Sequence, residues 1–325
     1  MIEDFASEYE REIDYWDATA RVVRGLLETE LTSSGLRAIV TSRAKSVDRL
    51  VEKLRGRNRK KRYRSVTQIR RDIVDLAGVR VALYFPGQMD EAERVIRATL
   101  NVEDARRFPP PVPPPGSTDT EHPDDNSTER DGRITRFSGY GARHYRVRIP
   151  AGRLSAGQER YSVAMVEIQV ASVLMHAWSE VEHDLVYKPL EGGLSESEYA
   201  LLDQLNGLVL AGEIALEQLQ QAGDARVTAA TTPFRDHYEL AEFLRTRLAN
   251  QGIDLTDTTL GRVDVLHGFL SDQKAATAAS VGTYLDRLEL DFEQRPVADQ
   301  LADLMLSGDE HRYKAFLRAM AAARH

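Results

Sequence analysis

Hydrophobic and polar residues first alternate and then change period in the segment from Ser162 to His183. In its first half, apolar side chains occupy every second position, which predicts a strand with one buried face. The opposite face of that strand carries Glu167 and Gln169. In its second half, from about Ser172, apolar residues recur every three or four positions, as they do in helices. We therefore expect a strand that runs directly into a helix, with a carboxylate on the open face of the strand.

Two further segments alternate in the same way, at 79–85 and 143–149. If all three predicted strands bury their apolar faces against helices, their polar faces share one cleft. Asp75 stands just before the first of these strands, where it would reach the same cleft. The polar side chains expected on the shared face are Arg80, His144, Arg146, Glu167 and Gln169.

Helical spacing of apolar residues predicts most of the remaining elements. The proline-rich and then polar segment at 108–136 instead predicts a mobile insertion, because it cannot supply a packed core. The elements expected before residue 101 are helices at 1–31, at 42–54 with Ser42 as N-cap, after Ser65 and at 89–100, a short strand at 36–40 and a loop at 55–64.

The fold class that these elements predict is α+β, with a mixed β-sheet flanked by helices and an all-helical C-terminal region after it. The expected domains are an N-terminal helical segment at 1–35, a sheet-containing domain at 36–194 and a helical domain at 195–325. The helical domain shows no catalytic motif. We therefore expect it to serve regulation or assembly into a homo-oligomer.

Composition narrows the class of protein. Of 325 residues, 42% are hydrophobic and 29% are charged, which is typical of a soluble globular protein. No apolar run approaches the roughly 20 residues that a membrane helix needs. The chain has no cysteine, which excludes disulfides, thiolate catalysis and cysteine metal sites. Because the N-terminus also lacks a signal-peptide pattern, these features favour the cytoplasm.

Charge is distributed unevenly along the chain. The net charge is -8, which argues against general coating of nucleic acid, yet the stretch from Arg37 to Arg71 is strongly basic. A basic block on an acidic chain indicates a bound polyanion, either nucleotide phosphates or RNA. A solvated helix face is the alternative explanation.

Two carboxylates, Asp75 and Glu167, are expected beside this excess of arginine and lysine. Mg²⁺ prefers hard oxygen ligands and usually takes only one or two carboxylates, with water and phosphate completing its shell. Cations around it neutralise the charge that spreads over phosphoryl oxygens during transfer. The constellation therefore predicts a site for Mg²⁺ and a polyphosphate.

Four motifs, in chain order, resemble the synthetase domain of the RelA/SpoT family over residues 36–190. The resemblance implies a nucleotidyltransferase-like sheet and pyrophosphate transfer from ATP to the ribose 3′-hydroxyl of GDP or GTP, as in a GTP pyrophosphokinase that makes the alarmones ppGpp and pppGpp. With its C-terminal helical extension, the chain resembles a small alarmone synthetase. The motifs are Arg43-x-Lys45 with Lys53 downstream, Asp75-Leu-Ala-Gly-Val-Arg80, Gly139-Tyr140 followed by His144, and Val166-Glu-Ile-Gln-Val.

On the donor side, the resemblance implies that Arg43 and Arg80 sandwich the adenine of ATP. Lys45 and Lys53 would hold its phosphates, and Asp75 would bind Mg²⁺. Arginine planes stack on bases and also pair with phosphate, so the residue types suit these roles.

On the acceptor side, Glu167 would bind the metal or act as the base on the attacking hydroxyl, so that Asp75, Glu167 and Arg80 form the expected catalytic set. Tyr140 would stack on the acceptor base. His144 and Gln169 would line the acceptor site.

Departures from the family pattern leave the acceptor open. Ala171 stands where the family usually has an arginine, and Ala142 stands where it usually has a serine. One alternative acceptor is the 3′ end of tRNA, as in toxic small members of the family, and the basic run at 55–64 would serve it. Another alternative is a nucleotide-binding regulatory protein without catalysis.

A different metal site, formed by His176, Glu180 and His183 on one helix, is disfavoured. Their spacing is not His-Glu-x-x-His, and an imidazole on such a helix is usually a hydrogen-bonded packing residue.

Overall fold

The computed structural model describes residues 1–108, 129–130, 133–134, 141–186, 194–229, 232–253, 259–291, 295–307 and 309–322. Up to residue 186, helices and strands follow one another in a mixed order. They are α1 (Ile2–Ser33), β1 (Ala38–Ala44), α2 (Val47–Lys61), α3 (Val66–Asp72), β2 (Ala77–Leu83), α4 (Met89–Thr99), β3 (Asn101–Phe108), β4 (Glu129–Arg130), β5 (Arg133–Ile134), β6 (Ala142–Arg148), β7 (Val166–Ser172) and α5 (Val173–Val186).

Every regular element described after residue 194 is a helix, as the pattern of apolar residues predicts. These helices are α6 (Glu196–Ala229), α7 (His237–Asn250), α8 (Val263–Asp272), α9 (Ala278–Leu285), α10 (Val297–Leu306) and α11 (Glu310–Ala322). Among the described residues, none of the helices has the length and apolar character needed to cross a bilayer.

The described strands form a five-stranded sheet in the order β1-β2-β7-β6-β3 and a separate pair, β4-β5. β2 and β7 run parallel, and the other neighbours in the large sheet run antiparallel. The predicted fold class, a mixed sheet flanked by helices with a helical C-terminal region, is therefore confirmed.

The helix α1 contributes to two apolar cores. Its second half, including Val23 and Leu27, packs with α4 on the apolar face of the large sheet. Its first half packs Phe5 and Tyr9 against α2, α3 and the start of β2. Burial of such side chains contributes about 1.5–3 kcal/mol each, so both halves of α1 are firmly held.

A third core lies within helices α7 to α11, where Leu240, Leu244, Leu266 and Leu301 are buried. This region contacts the sheet-containing part through α7. Arg245 donates to Glu91 of α4 at 3.0 Å, and it also approaches the carbonyl oxygen of Gly35 at 3.3 Å.

Three expectations about the first hundred residues are wrong. β1 continues to Ala44, so Ser42 lies in the strand and α2 begins after Ser46, its actual N-cap. α2 also continues to Lys61 where a loop is predicted, because arginine and lysine are good helix formers and the Arg57 and Lys61 side chains pair with Asp72.

The strand β3 is not predicted from the sequence. Among the described strands it pairs only with β6, at the edge of the sheet, and its mostly exposed residues show little apolar alternation. The predicted insertion at 108–136 falls, except for Phe108 and the short pair β4-β5, outside the described residues.

Candidate active site

Strand register brings several predicted site residues into two neighbouring rows across the sheet. Glu167 lies between Gly78 and Arg146 in one row. Gln169 lies between Arg80 and His144 in the next row. The apolar residues that alternate with them are buried in the sheet core, so these polar side chains share the opposite face. Arg43, on the edge strand β1, extends the first row because it pairs with Gly78.

A cluster of three charges stands at one end of this face. Lys45 and Lys53 each donate a hydrogen bond to Oδ2 of Asp75, both at 2.7 Å. The backbone that carries them is fixed from α1, because the Tyr9 hydroxyl donates to the carbonyl oxygen of Lys45 at 2.6 Å and also contacts that of Leu76 at 3.3 Å. Tyr9 belongs to the apolar stripe of α1 in the sequence, which gives no hint of this positioning role.

The charges of this cluster act strongly on one another. Burial by itself would raise the pKa of Asp75, but the charges of Lys53 and Lys45 and their hydrogen bonds outweigh it, and the pKa falls far below its ordinary value of 3.8. Burial lowers the pKa of Lys53, and the charge of Asp75 opposes that change. Asp75 is therefore an ionised carboxylate at neutral pH.

Glu167 shows the opposite behaviour. Burial raises its pKa, and the negative charge of Asp75 raises it further. Its Oε2 accepts a hydrogen bond from Nε2 of Gln169 at 3.1 Å. Two neighbouring carboxylates whose pKa values are shifted in opposite directions are a common arrangement in catalytic sites.

Arg80 is held by a carboxylate that sequence reasoning did not connect with it. The Glu180 side chain of α5 forms a short ion pair with the Arg80 guanidinium. Burial would raise the pKa of Glu180, but Arg80 lowers it below its ordinary value. The sequence offers Glu180 only as a candidate metal ligand, whereas the structure makes it the partner of Arg80.

His176, from the same disfavoured metal set, is buried and its Nε2 lies 3.1 Å from the carbonyl oxygen of Val81. This contact fits the packing role. The side chain of His183 lies outside the described residues.

On the acceptor side, the ring of His144 packs against Phe108 in a tilted arrangement, with 4.5 Å between the ring centroids. Burial lowers the pKa of His144 to about 4, and the nearby His176 adds to that effect. The imidazole is therefore neutral at pH 7. Tyr140, the residue expected to stack on the acceptor base, lies outside the described residues.

Residues 42–191 match the family model described as "Region found in RelA / SpoT proteins". The chain contains a RelA/SpoT region.

Solved structures are also similar to the chain. Small alarmone synthetase 1 from Bacillus subtilis is 20% identical, with a TM-score of 0.48, over 66% of this chain and 97% of that chain. A GTP pyrophosphokinase family protein from Streptococcus pneumoniae is 17% identical, with a TM-score of 0.45, over 68% of this chain and 93% of that chain. No curated protein sequence was found to match the chain at a significant level.

The RelA/SpoT region contains residues suited to Mg²⁺. Oδ1 of Asp75 is buried and has no hydrogen-bond partner in the described part of the chain, whereas Oδ2 takes both lysines. An orphaned buried carboxylate oxygen is costly unless a ligand satisfies it. Groups of three or more metal-binding His, Asp or Glu side chains are not found among the described residues. The pair Asp75 and Glu167 nonetheless matches the one or two carboxylates that Mg²⁺ usually takes.

The departures of the RelA/SpoT region from its family pattern have a packing explanation. Ala171 and Ala142 are buried in a small cluster with Met175, against which Val209 of α6 packs. A long cationic side chain at 171 would have to displace that helix. The sequence suggests a missing cation, whereas the structure shows a position that the helical extension covers.

The next residue, Ser172, is tied to the same helix. Its hydroxyl donates to Glu213 of α6 at 2.5 Å and accepts from the backbone N–H of Met175 at 3.0 Å. The strand that carries Glu167 therefore ends in a buried polar contact with α6.

The basic segment that follows Lys53 is partly neutralised within the fold. Arg57 and Lys61 pair with Asp72, and Arg55 donates to Glu3 at 2.7 Å. The charges of Arg57, Lys61 and Arg55 therefore serve the packing of α1, α2 and α3. Other basic side chains at the end of α2 are exposed, including Arg59 and Arg62.

Proposed function

We propose that the chain is a pyrophosphotransferase that moves the β,γ-pyrophosphate of ATP to the ribose 3′-hydroxyl of a guanosine nucleotide, forming a (p)ppGpp-type alarmone. The observation that carries this proposal is the pair of carboxylates with opposed pKa shifts, Asp75 and Glu167, beside Lys45 and Lys53. The match of residues 42–191 to RelA/SpoT proteins supports it at the level of the family.

In this proposal, each side chain of the cluster has a distinct task. Lys45 and Lys53 donate to phosphate oxygens of ATP, and in exchange they loosen their hold on Oδ2 of Asp75. Asp75 and Glu167 would hold Mg²⁺, which when bound would supply positive charge to the transferring phosphoryl oxygens. Arg43 and Arg80 stack on the adenine.

In the same proposal, Glu167 would help to bind the metal or would take the proton of the attacking hydroxyl. The 3′-oxygen forms a bond to the β-phosphorus while the bond from that phosphorus to the α,β-bridging oxygen breaks, and AMP leaves. Because burial raises the pKa of Glu167, its carboxylate is a stronger base than an exposed glutamate. His144 and Gln169, next to each other in the second row, border the acceptor.

The test is a label-transfer assay with ATP labelled at the γ-phosphate. Purified protein with Mg²⁺ receives GDP, GTP, ADP or total tRNA in separate reactions. We expect label on GDP or GTP, and we expect Glu167→Gln to lose at least 100-fold in rate because a general base contributes about 10²–10⁴-fold. Glu52→Gln, an exposed change on α2, is the matched control and should leave the rate unchanged.

Other outcomes separate the alternatives. Label on tRNA would replace the acceptor and make the exposed basic end of α2 the next surface to neutralise. ATP binding without transfer to any acceptor would refute the enzyme and favour a regulatory nucleotide-binding protein. A Glu167→Gln variant as active as the parent would refute the role given to that carboxylate.

A further inference from the structure

Two arginines extend the polar face of the sheet beyond the residues already placed in the candidate site. Arg146 lies on β6 opposite Glu167 of β7, and Arg106 lies on β3 opposite His144 of β6. Residues that pair directly across neighbouring strands lie on the same face of a sheet. Both arginines therefore share the face of Glu167, on the side of the sheet away from β1 and β2.

A shift of register within β3 brings Arg106 to this face. Val102 pairs with Val147 and packs against the apolar core, whereas Asp104 pairs with Arg146. Strict alternation would put positions 102, 104 and 106 on the same side of the sheet. The extra residue in β3 at the shift reverses the strand, as a β-bulge does, so that its charged half meets the polar face.

One carboxylate orders Arg106 and Arg146 as a pair. Oδ2 of Asp104 accepts a hydrogen bond from Nε of Arg106 at 3.1 Å and forms an ion pair with Nη1 of Arg146 at 3.2 Å. Two positive charges share one negative charge, so the cluster keeps an excess of positive charge. The side chains of Arg146 and Arg106 are 27% and 41% exposed, which leaves them accessible to a ligand. Such a cluster suits an anion with several oxygens, because each guanidinium carries five N–H donors.

The charges of this arginine pair reach the predicted acceptor residues. Burial lowers the pKa of His144, and the positive charges of Arg106 and Arg146 add to that effect. His144 in turn pairs with Gln169 of β7. An acceptor that lies along His144 and Gln169 therefore meets positive charge on its β3 side.

The order of the strands indicates which part of the acceptor would meet the pair. Asp75, Lys45 and Lys53 lie beside β1 and β2, so the donor phosphates belong on that side. Neighbouring strands are about 4.8 Å apart, which puts β6 and β3 about 5 and about 10 Å from the strand that carries Glu167. An acceptor whose 3′-hydroxyl faces the donor at Glu167 then directs the other end of its ribose, and the 5′-phosphates attached there, toward β6 and β3.

The pair also supplies positive charge that β7 lacks. Ala171, where the RelA/SpoT family usually has an arginine, is buried in the cluster that α6 covers and adds no charge to the acceptor side. Arg146 and Arg106 come instead from the next two strands of the sheet.

We propose that Arg106 and Arg146, ordered by Asp104, bind the 5′-phosphates of the acceptor and thereby favour a free nucleoside 5′-diphosphate or triphosphate. This assignment rests on the proposed function, because it presupposes a nucleotide acceptor at Glu167. The 3′-terminal nucleotide of an RNA carries only a phosphodiester with a single negative charge at its 5′-oxygen, so it would use the pair less well than GDP does.

Steady-state kinetics with guanosine, GMP and GDP as acceptors, at saturating ATP, test the assignment. In the parent, kcat/KM should rise with each added phosphate. Arg146→Gln and Arg106→Gln should each raise the KM for GDP about 10-fold, the order of one charge-assisted hydrogen bond at a partly exposed site. The KM for guanosine and the KM for ATP should not change, since neither depends on the acceptor phosphates.

The matched control is Arg148→Gln, which removes the same charge from the same strand. Arg148 donates to the carbonyl oxygen of Val163 at 2.8 Å and lies 3.3 Å from Glu103, away from the arginine pair. This variant should keep the parental KM for GDP. An unchanged KM for GDP in both test variants would overturn the assignment and leave the transfer reaction in place. A rise in the KM for guanosine equal to that for GDP would also overturn it, because the arginines would then act on the ribose, the base or the fold.

Isothermal titration calorimetry separates this assignment from the transfer reaction itself. GDP is titrated into the protein with Mg²⁺ and an ATP analogue that has a methylene group in place of the α,β-bridging oxygen. If the parent transfers label to no acceptor but binds GDP, and Arg146→Gln binds it about 10-fold more weakly, the phosphate subsite stands while the proposed reaction fails. A parent that does not bind GDP, or an Arg146→Gln variant that binds it as tightly as the parent, would overturn the subsite.

Discussion

The substitution Asp75→Asn probes the charge cluster most directly. It removes the negative charge that holds Lys45 and Lys53 and leaves two ammonium groups near each other. A hydrogen bond to a charged group contributes about 1.5–3 kcal/mol, and both lysines are partly exposed, so we expect a total loss of about 2–4 kcal/mol in the free energy of unfolding. For a folded domain of about 150–250 residues, this loss corresponds to a fall of roughly 5–15 °C in Tm.

A second substitution makes the prediction specific to charge. In Asp75→Asn with Lys53→Met, only one ammonium group remains and the asparagine oxygen can still accept from Lys45. The double variant should therefore regain about 1 kcal/mol relative to Asp75→Asn, instead of losing more. Differential scanning calorimetry measures both, with Glu52→Gln on the exposed face of α2 as a control that should change Tm by less than about 2 °C.

The dependence of stability on pH gives an independent check of the contribution of Asp75. The pKa of Asp75 is lowered in the folded protein, so its contribution is present above the ordinary value of 3.8 and is lost as pH falls toward the folded value. The difference in Tm between the parent and Asp75→Asn should therefore shrink as pH is lowered below about 4. If the double variant is less stable than Asp75→Asn by the full amount that Lys53→Met costs alone, the two lysines do not repel each other and the reasoning is wrong.

Three further predictions concern other parts of the chain. Gly35→Ala should lower the free energy of unfolding by about 2–4 kcal/mol, because φ is +75° there and the new Cβ would lie 2.2 Å from Cβ of Ala241. Gly252→Ala, with φ +72° and open space around it, is the matched control and should lower that free energy by about 1 kcal/mol in a urea titration. Glu180→Gln should raise the KM for ATP several-fold with kcat nearly unchanged, since Arg80 loses the partner that orients it, and a KM that falls would contradict this role. Burial and the adjacent Glu242 carboxyl raise the pKa of Asp224, so the native state holds a proton that the unfolded chain releases above about pH 4. The Tm of the parent should therefore fall as pH rises from 4 toward 8, and Asp224→Asn should flatten that slope. Equal slopes in both proteins would contradict the assignment.

Strong local periodicity made the central elements of the fold predictable. β7 and α5 follow one another with two clear apolar periods, and the helices after residue 195 each have an apolar face. Boundaries were harder. Ser42 has the chemistry of an N-cap, but its pairing with Val79 keeps it in β1, and only the partner strand can determine that.

The sequence predicts which residues lie in the candidate site better than it predicts which of them contact one another. Sequence motifs single out Lys45, Lys53 and Asp75, yet they assign the lysines to phosphate and the carboxylate to metal, whereas the structure joins all three. The role of Ala171 could not be read from its neighbours in the chain, because Val209, which packs over it, comes from a helix 38 residues later. Long-range packing of this kind leaves no local periodic signal.

Because α1 packs in two apolar cores, the number of residues between its two packed halves is constrained, even where the side chains between them face water. Each residue of a helix turns the chain by about 100° and advances it by about 1.5 Å. If one exposed residue between Tyr9 and Ala20 is deleted, one half of α1 can keep its contacts, but the other half is then rotated about the helix axis by more than a quarter turn. Tyr9 would then no longer reach the carbonyl oxygen of Lys45 while Val23 and Leu27 stay seated on the sheet. This stretch should therefore tolerate many substitutions of amino acid and almost no change in the number of residues.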